Sequence, residues 1–435
     1  LASPLRLPCG VTLPNRLLKS AMTEGLADAH DRPTSAHETL YRRWSDGGTG
    51  TLVTGNVMVD RRYLERPGNV VVEDDGAIDR LGAWVRAGTA AGNQLWMQIS
   101  HPGRQVTRMV TSEPVAPSAV QLRLGGLFGK PRALTEGEIL DIVARFARVA
   151  SIARRAGFTG VQVHGAHGYL SSQFLSPRTN QRTDRWGGPL ENRARFIREV
   201  VRAVRREVGP DYPVAVKLNS SDFQKGAFTP EDSCTVAGWL VEEGIDLLEI
   251  SGGTYECLRL LGVKTPEDVA AERAEGTRRR EAYFLEYAAS IRAAARVPLA
   301  VTGGFRSRGG MDAALAEGSV DVIGIARPLC TEPALGRALL DGEGAAGRVD
   351  EQSLRIAGGW LGPSSPSPMI RALNAQAQTA WFYKQLLQLA AGQEPVLGLS
   401  AISALVGHMS REGSLARARR RVLMRPPQLK PATLP

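Results

Sequence analysis

Cysteine is scarce in this chain of 435 residues: four in all, at 9, 234, 257 and 330, with no CxxC among them. That argues against a zinc ribbon or a cysteine-ligated iron–sulfur cluster. Scattered single cysteines suit a reducing, cytoplasmic setting better than a disulfide framework. Long apolar runs are missing too. The best candidate for a membrane span, "LLQLAAGQEPVLGLSAISALVG", is interrupted by Gln, Glu and Pro. The opening "LASPLRLPCG" has neither a basic n-region nor an apolar h-region, so it does not read as a signal peptide. What is there is the composition of an ordinary globular protein, 43% hydrophobic and 23% charged, long enough for a large core.

Excess charge is likewise absent from most of the chain. Of the formal net charge of +10, residues 411–430 hold seven basic side chains against the single acid Glu412. That stretch reads as a solvated basic tail. The body carries no electrostatic case for a nucleic-acid groove.

Short Val/Ile/Leu-rich runs alternate with amphipathic helical stretches. Strands are expected at 16–22, 51–59, 94–100, 160–165, 213–219, 246–251, 298–303 and 321–326. None alternates cleanly, as befits parallel strands buried on both faces. Helices are expected at 35–46, 76–91, 135–156, 189–208, 230–243, 282–294, 307–317 and 333–341, one after each strand. Ser35 with Glu38, and Thr135 with Glu138, have capping-box spacing. Thr229 reads as an N-cap followed by Pro230 in the first helical position. Strand then helix, eight times, is the pattern of an α/β fold of the (β/α)8 TIM-barrel type. The competing reading is an open doubly wound sheet. "LRLPCGVTL" reads as an N-terminal hairpin able to plug the barrel floor. Residues 1–345 would be the barrel. Residues 346–435 would be a C-terminal extension with a helix at 369–391, packed on the barrel or on a second subunit, and then the basic, Pro-containing tail.

Barrels of this type carry their sites on the C-terminal rim. Three long loops lie there, at 101–134, 165–188 and 252–281. "TGGF" (302–305) and "IAR" (325–327) end strands seven and eight, the usual place of a phosphate cradle. Gly303 and Gly304 let backbone N–H groups approach an anion, and Arg327 adds a fork of donors. "GEGAAG" (342–347) spells GxGxxG but follows a helix, so it reads as a linker and not as a dinucleotide turn.

"HGAHGYLSSQFLSP" (164–177) concentrates two of only six histidines. A metal site would need a third ligand, and none stands at a familiar offset. A structural role is the second reading. The third is catalytic: if the turn is helical, His164 and His167 share a face at i and i+3, offering two imidazole N–H groups to one oxygen, with the Tyr169 phenol as proton donor. Other rim residues fit the third. Thr23, Gln98 and Lys217 match the edges of a flavin, and Gly55 leaves room for a flat ring. A buried Lys217 also demands a facing anion.

The block "HGAHGYLSSQFLSPRTNQRTDRWGGPLENRARF" (164–196), with "NRLLKSAMTE", "MQISHPGR", "VTGGF" and "IGIARPL" in order, resembles the old yellow enzyme family of FMN-dependent ene-reductases. The resemblance covers about residues 3–345. It implies FMN in the mouth of a TIM barrel, with NADH or NADPH as cosubstrate. Residue by residue, it implies that Ala21 and Met22 bind the cofactor, that Thr23 tunes the flavin O4/N5 edge and that Gly55 and Gln98 line the ring. Lys217 would stabilise the reduced anion, and Gly303, Gly304, Ala326 and Arg327 would hold the phosphate. His164 and His167 would bind the carbonyl or nitro oxygen of an α,β-unsaturated substrate, Tyr169 would protonate it, and Tyr255 is a further candidate for substrate contact. Lys217 stands where many members have Arg, Thr23 where one branch has Cys, Ala326 where Gly is usual, and Trp186 where Tyr is common. The same site run in reverse would serve a dehydrogenase or oxidase. An RNA-modifying FMN barrel of the dihydrouridine synthase type would want a cysteine in the loop after Gln98, where this chain has His101.

Overall fold

The computed structural model describes residues 1–124, 126–253, 285–342 and 346–424. Its centre is a closed ring of eight parallel strands: Leu17–Lys19, Thr51–Val53, Gln94–Ser100, Gly160–Gly165, Val214–Asn219, Leu247–Ser251, Leu299–Thr302 and Val322–Ile325. Each pairs with its neighbour in sequence, and the eighth returns to the first, Ile323 opposite Leu17. Helices Ser35–Asp46, Ile78–Gly88, Glu136–Ala156, Leu190–Val208, Pro230–Glu242, Leu285–Ala294, Arg308–Ala316 and Leu335–Asp341 follow the strands in turn. The architecture is the TIM barrel that the alternation implied, and the open sheet is excluded by closure.

Local chemistry sets the boundaries. Thr135 accepts from the Glu138 amide and Glu138 bonds back, a reciprocal cap. Thr229 accepts from the Asp232 amide with Pro230 in the first turn. The first helix departs from expectation. Its N-cap is Thr34, not Ser35, and His37 Nδ1, not Glu38, accepts the Thr34 amide at 3.1 Å. Strand two also departs, because it breaks at residues 54–56. The Gly55 amide leaves the ladder for the Glu24 carboxylate at 2.9 Å. Val57–Met58 then resumes pairing, against Ile99 and Ser100.

The barrel lumen is layered by the two-residue period of its strands. Leu18, Val53, Trp96, Ala215, Leu247, Ala300 and Val322 form an apolar floor. Leu7 and Leu13, from the antiparallel hairpin Leu5–Arg6 with Thr12–Leu13, pack into it from below. One step further along the strands the lumen turns polar, with Gln98, Gln162, Lys217, Glu249 and Thr302.

Two further helices follow the barrel, Pro368–Ala390 and Ala401–Leu423. Trp381 Nε1 donates to the Leu399 carbonyl at 2.9 Å, and Gln385 bonds both polar groups of the Val396 backbone, pinning their connection. The basic stretch that begins at Arg411 is helix as far as Leu423, with Arg417, Arg420 and Arg421 exposed. Arg419 is buried and donates to Asp31 Oδ1 at 2.7 Å and to the Arg61 carbonyl. Among the described residues no helix is long and apolar enough to cross a membrane.

Candidate active site

Strand four delivers Gln162 and His164 to the lumen, and the turn after it delivers His167 and Tyr169. That turn is not helical. His167 has φ of 60°, a left-handed conformation that side chains rarely adopt, and the next helix begins at Leu170. The two imidazoles nevertheless meet, centroids 5.2 Å apart and nearly perpendicular. The Tyr169 ring lies 4.7 Å from His164. The strained turn is over-determined. The His167 amide donates to Asn219 Oδ1 at 3.1 Å, and its carbonyl accepts from Gln105.

Protonation follows from burial. The Ala166 amide donates to His164 Nδ1 at 3.2 Å. Nδ1 is thereby the acceptor, so the proton sits on Nε2, for which no described residue provides an acceptor. His167 Nε2 lies 2.7 Å from Ser251 Oγ. Burial, then the facing His167 and Lys217, push His164 well below the usual imidazole range. Burial and Lys217 push His167 down to about 3. Both rings are held neutral, each with one N–H to give and one nitrogen to accept.

Beside them lies a buried polar network. Lys217 Nζ is 2.9 Å from Glu249 Oε1 and donates to Ser20 Oγ at 2.8 Å. Ser20 and Thr302 each donate to Glu249 Oε1 at 2.6 Å. Gln162 donates to Glu249 Oε2 at 2.7 Å, and Gln98 donates to Gln162 at 2.8 Å. Burial pushes the Glu249 carboxyl up, but Lys217 and the hydroxyl donors outweigh it and hold it at about 2. The anion that Lys217 demands is thus on the chain itself. Sequence reasoning singled out Gln98 and Lys217 and missed Gln162, Glu249, Ser251 and Asn219. Their signal was parity. In "GVQVHG", "VKLN" and "LLEIS" the polar residues fall two apart in otherwise apolar strands, all on the lumen side.

The other expected residues are distributed as follows. Thr23 donates to Asn56 Oδ1 at 2.5 Å, with Glu65 Oε2 at 3.2 Å. Met22 Sδ lies 3.6 Å from the Cys330 thiol, and Ala21 packs on the floor cluster. Gly55 does not open space for a ring: a Cβ there would meet Glu24 Oε2 at 2.2 Å and the Met22 carbonyl at 2.5 Å. Gly303 and Gly304 have φ of 135° and 83° at the end of strand seven. Ala326 caps the short 3-10 turn Arg327–Cys330. Arg327 and Arg306 both reach Glu351, at 3.6 and 2.5 Å. Tyr255 lies outside the described residues. No group of three or more His, Cys, Asp or Glu able to hold a metal ion occurs among the described residues.

The arrangement fits a planar phosphorylated cofactor. Gly303 and Gly304, both at positive φ, end strand seven beside the strand that leads into Arg327, and the buried Arg306 Nε has no acceptor. Neutral imidazole donors face the same mouth. Residues 1–342 match a known family of that chemistry. The chain belongs to the NADH:flavin oxidoreductase / NADH oxidase family. It is 38% identical over 361 residues to the NADH-dependent flavin oxidoreductase iliE of Hypocrea jecorina, covering 78% of this chain and 88% of that one. It is 34% identical over 416 residues to the NADH-dependent flavin oxidoreductase iccE of Talaromyces variabilis, covering 90% and 98%. The old yellow enzyme homologue of Zymomonas mobilis superposes with a TM-score of 0.67 at 25% identity, covering 80% of this chain and 94% of that one. This family member is an old yellow enzyme-type oxidoreductase with FMN as cofactor and NADH or NADPH as cosubstrate.

Proposed function

We propose that the enzyme reduces the activated C=C bond of α,β-unsaturated carbonyl or nitro compounds. Bound FMN supplies the hydride transfer between nicotinamide and substrate. His164 and His167 hold the substrate's carbonyl or nitro oxygen. A neutral imidazole has one N–H to give, and the Ala166 amide on His164 Nδ1 leaves that ring its Nε2–H, while Ser251 engages His167 Nε2. Donors held in place beforehand stabilise charge that develops on that oxygen without further reorganisation. Tyr169, its ring packed on His164, delivers the proton to Cα.

Around the cofactor, Thr23 is assigned to the flavin O4/N5 edge and Gln98 to the pyrimidine side. Lys217 is assigned to the side that becomes anionic on reduction, and Gly303, Gly304, Ala326 and Arg327 to the phosphate. Residues 1–345 form the catalytic unit and residues 346–435 extend it. The reading also places the enzyme in the cytoplasm, which suits its scattered cysteines.

The observation that carries this reading is the neutral His164–His167 pair beside Tyr169, with one Nε2–H left to give. It is tested by titrating the FMN-loaded enzyme with phenols and enones, then following NADH oxidation with 2-cyclohexenone under nitrogen and, separately, with oxygen as the acceptor. Phenol charge-transfer bands and enone turnover are expected. Electron transfer to oxygen alone, with no enone reduced, would replace the reading with an oxidase.

A further inference from the structure

The polar layer of the lumen has a direction. Lys217, Ser20 and Thr302 meet at Glu249 Oε1, at 2.9, 2.6 and 2.6 Å. The other oxygen, Oε2, faces the side-chain amide of Gln162. A carboxylate only accepts, so that amide has to present its nitrogen, and Gln162 Nε2 lies 2.7 Å away.

With its nitrogen spent on Glu249, Gln162 turns its oxygen to the neighbouring strand, where Gln98 stands opposite it in the ladder. An amide oxygen also only accepts, so Gln98 must offer its own nitrogen, and Nε2 lies 2.8 Å from Gln162 Oε1. The Gln98 oxygen is left on the other side of its amide. One carboxylate thus dictates the orientation of two amides in succession. Flipping either amide would set N–H against N–H, or oxygen against oxygen, at one of the two junctions. Gln98, Gln162 and Glu249 are all buried, so such a mismatch would carry its full cost.

We infer that Glu249 is a positioning residue for Gln98: acting through Gln162, it turns the Gln98 oxygen, and not its nitrogen, to the pyrimidine side of the cofactor. The site therefore selects a ring that carries an N–H there. The inference rests on the assignment of Gln98 to that side. Oxidised isoalloxazine has a single ring N–H, on the imide nitrogen between the two pyrimidine carbonyls. Packing alone would fill the lumen with side chains of this size, but it would not require their amides to point one way.

The test loads the full chain with FMN or with its N3-methyl derivative, in which a methyl group replaces the imide proton. The readout is the ratio of the two dissociation constants, the preference for FMN. Gln162→Met keeps the volume and removes both ends of the relay. Gln98 is then free to turn, and the preference should fall about 2- to 10-fold, the scale of one neutral hydrogen bond. Glu249→Gln reverses the relay instead of cutting it. Lys217, Ser20 and Thr302 keep an oxygen at one position of the new amide, so its nitrogen takes the other. Gln162 must then turn round, and Gln98 with it, bringing N–H against the ring N–H. The preference should fall at least as far as in Gln162→Met. A smaller fall than that, or a wild-type preference in either variant, overturns the inference, and the assignment of Gln98 stands if Gln98→Met lowers the preference. If Gln98→Met leaves it at the wild-type value, the assignment fails and takes the inference with it. Should Glu249→Gln not fold, Gln162→Met decides alone.

Discussion

Lys217 and Glu249 stand opposite one another on neighbouring barrel strands, ammonium 2.9 Å from carboxylate, and both are buried. Removing one partner strands the other charge away from water. Glu249→Gln should cost about 3–5 kcal/mol of unfolding free energy, read as a lower urea midpoint. The sign of the pH dependence follows from the carboxyl. Held at about 2 against an ordinary 4.5, it contributes fully above about 4.5 and its contribution drains away as pH falls towards 2. Acid unfolding of Glu249→Gln should lack that component. An identical acid profile in both proteins would show that the pair adds nothing to folding.

Tyr169→Phe keeps the ring against His164 and removes the proton donor. Turnover with 2-cyclohexenone should fall about 10²- to 10⁴-fold, while stopped-flow reduction of bound FMN by NADH is unchanged. Equal slowing of both half-reactions would assign the phenol to binding instead.

The histidines predict a flat ligand profile. Both rings are neutral when folded, so phenol affinity should not titrate with either of them between pH 8 and pH 5. Stability should. The unfolded imidazoles take up protons below about 6.5 and the folded ones do not, so stability declines as pH falls through that value, and for His167 it does so down to about 3. Ser251→Ala frees His167 Nε2 and should weaken phenol binding about 2- to 10-fold, the scale of one hydrogen bond, measured by absorbance titration.

Gly55→Ala forces a methyl group onto the Glu24 carboxylate and the Met22 carbonyl. Overpacking there should cost about 1–3 kcal/mol, seen as a lower thermal midpoint. A wild-type melting curve would mean that the space is open after all.

The strands were legible because burial on both faces writes itself into local composition, and the caps at Thr135 and Thr229 because each closes within four residues. The break in strand two was not. It depends on Glu24, 31 residues from Gly55. Nor could composition separate Arg419 from its basic neighbours, because the partner that buries it lies 388 residues away. His164, His167 and Tyr169 stood out as rare residues in one block, and the structure gathers them. Glu249 and Ser251 did not, because a single acid or hydroxyl in an apolar run carries no motif. Only the two-residue rhythm they share with Lys217 and Asn219 betrayed them, and it needs the barrel to give it meaning.

The hairpin corked against Trp96 closes the floor of the barrel and leaves its C-terminal mouth as the way in among the described residues. If both reactants work at the same mouth, nicotinamide and electron acceptor must queue for it, each leaving before the other can enter. An abundance of either should then obstruct its successor, so catalysis would slow at high concentrations of both.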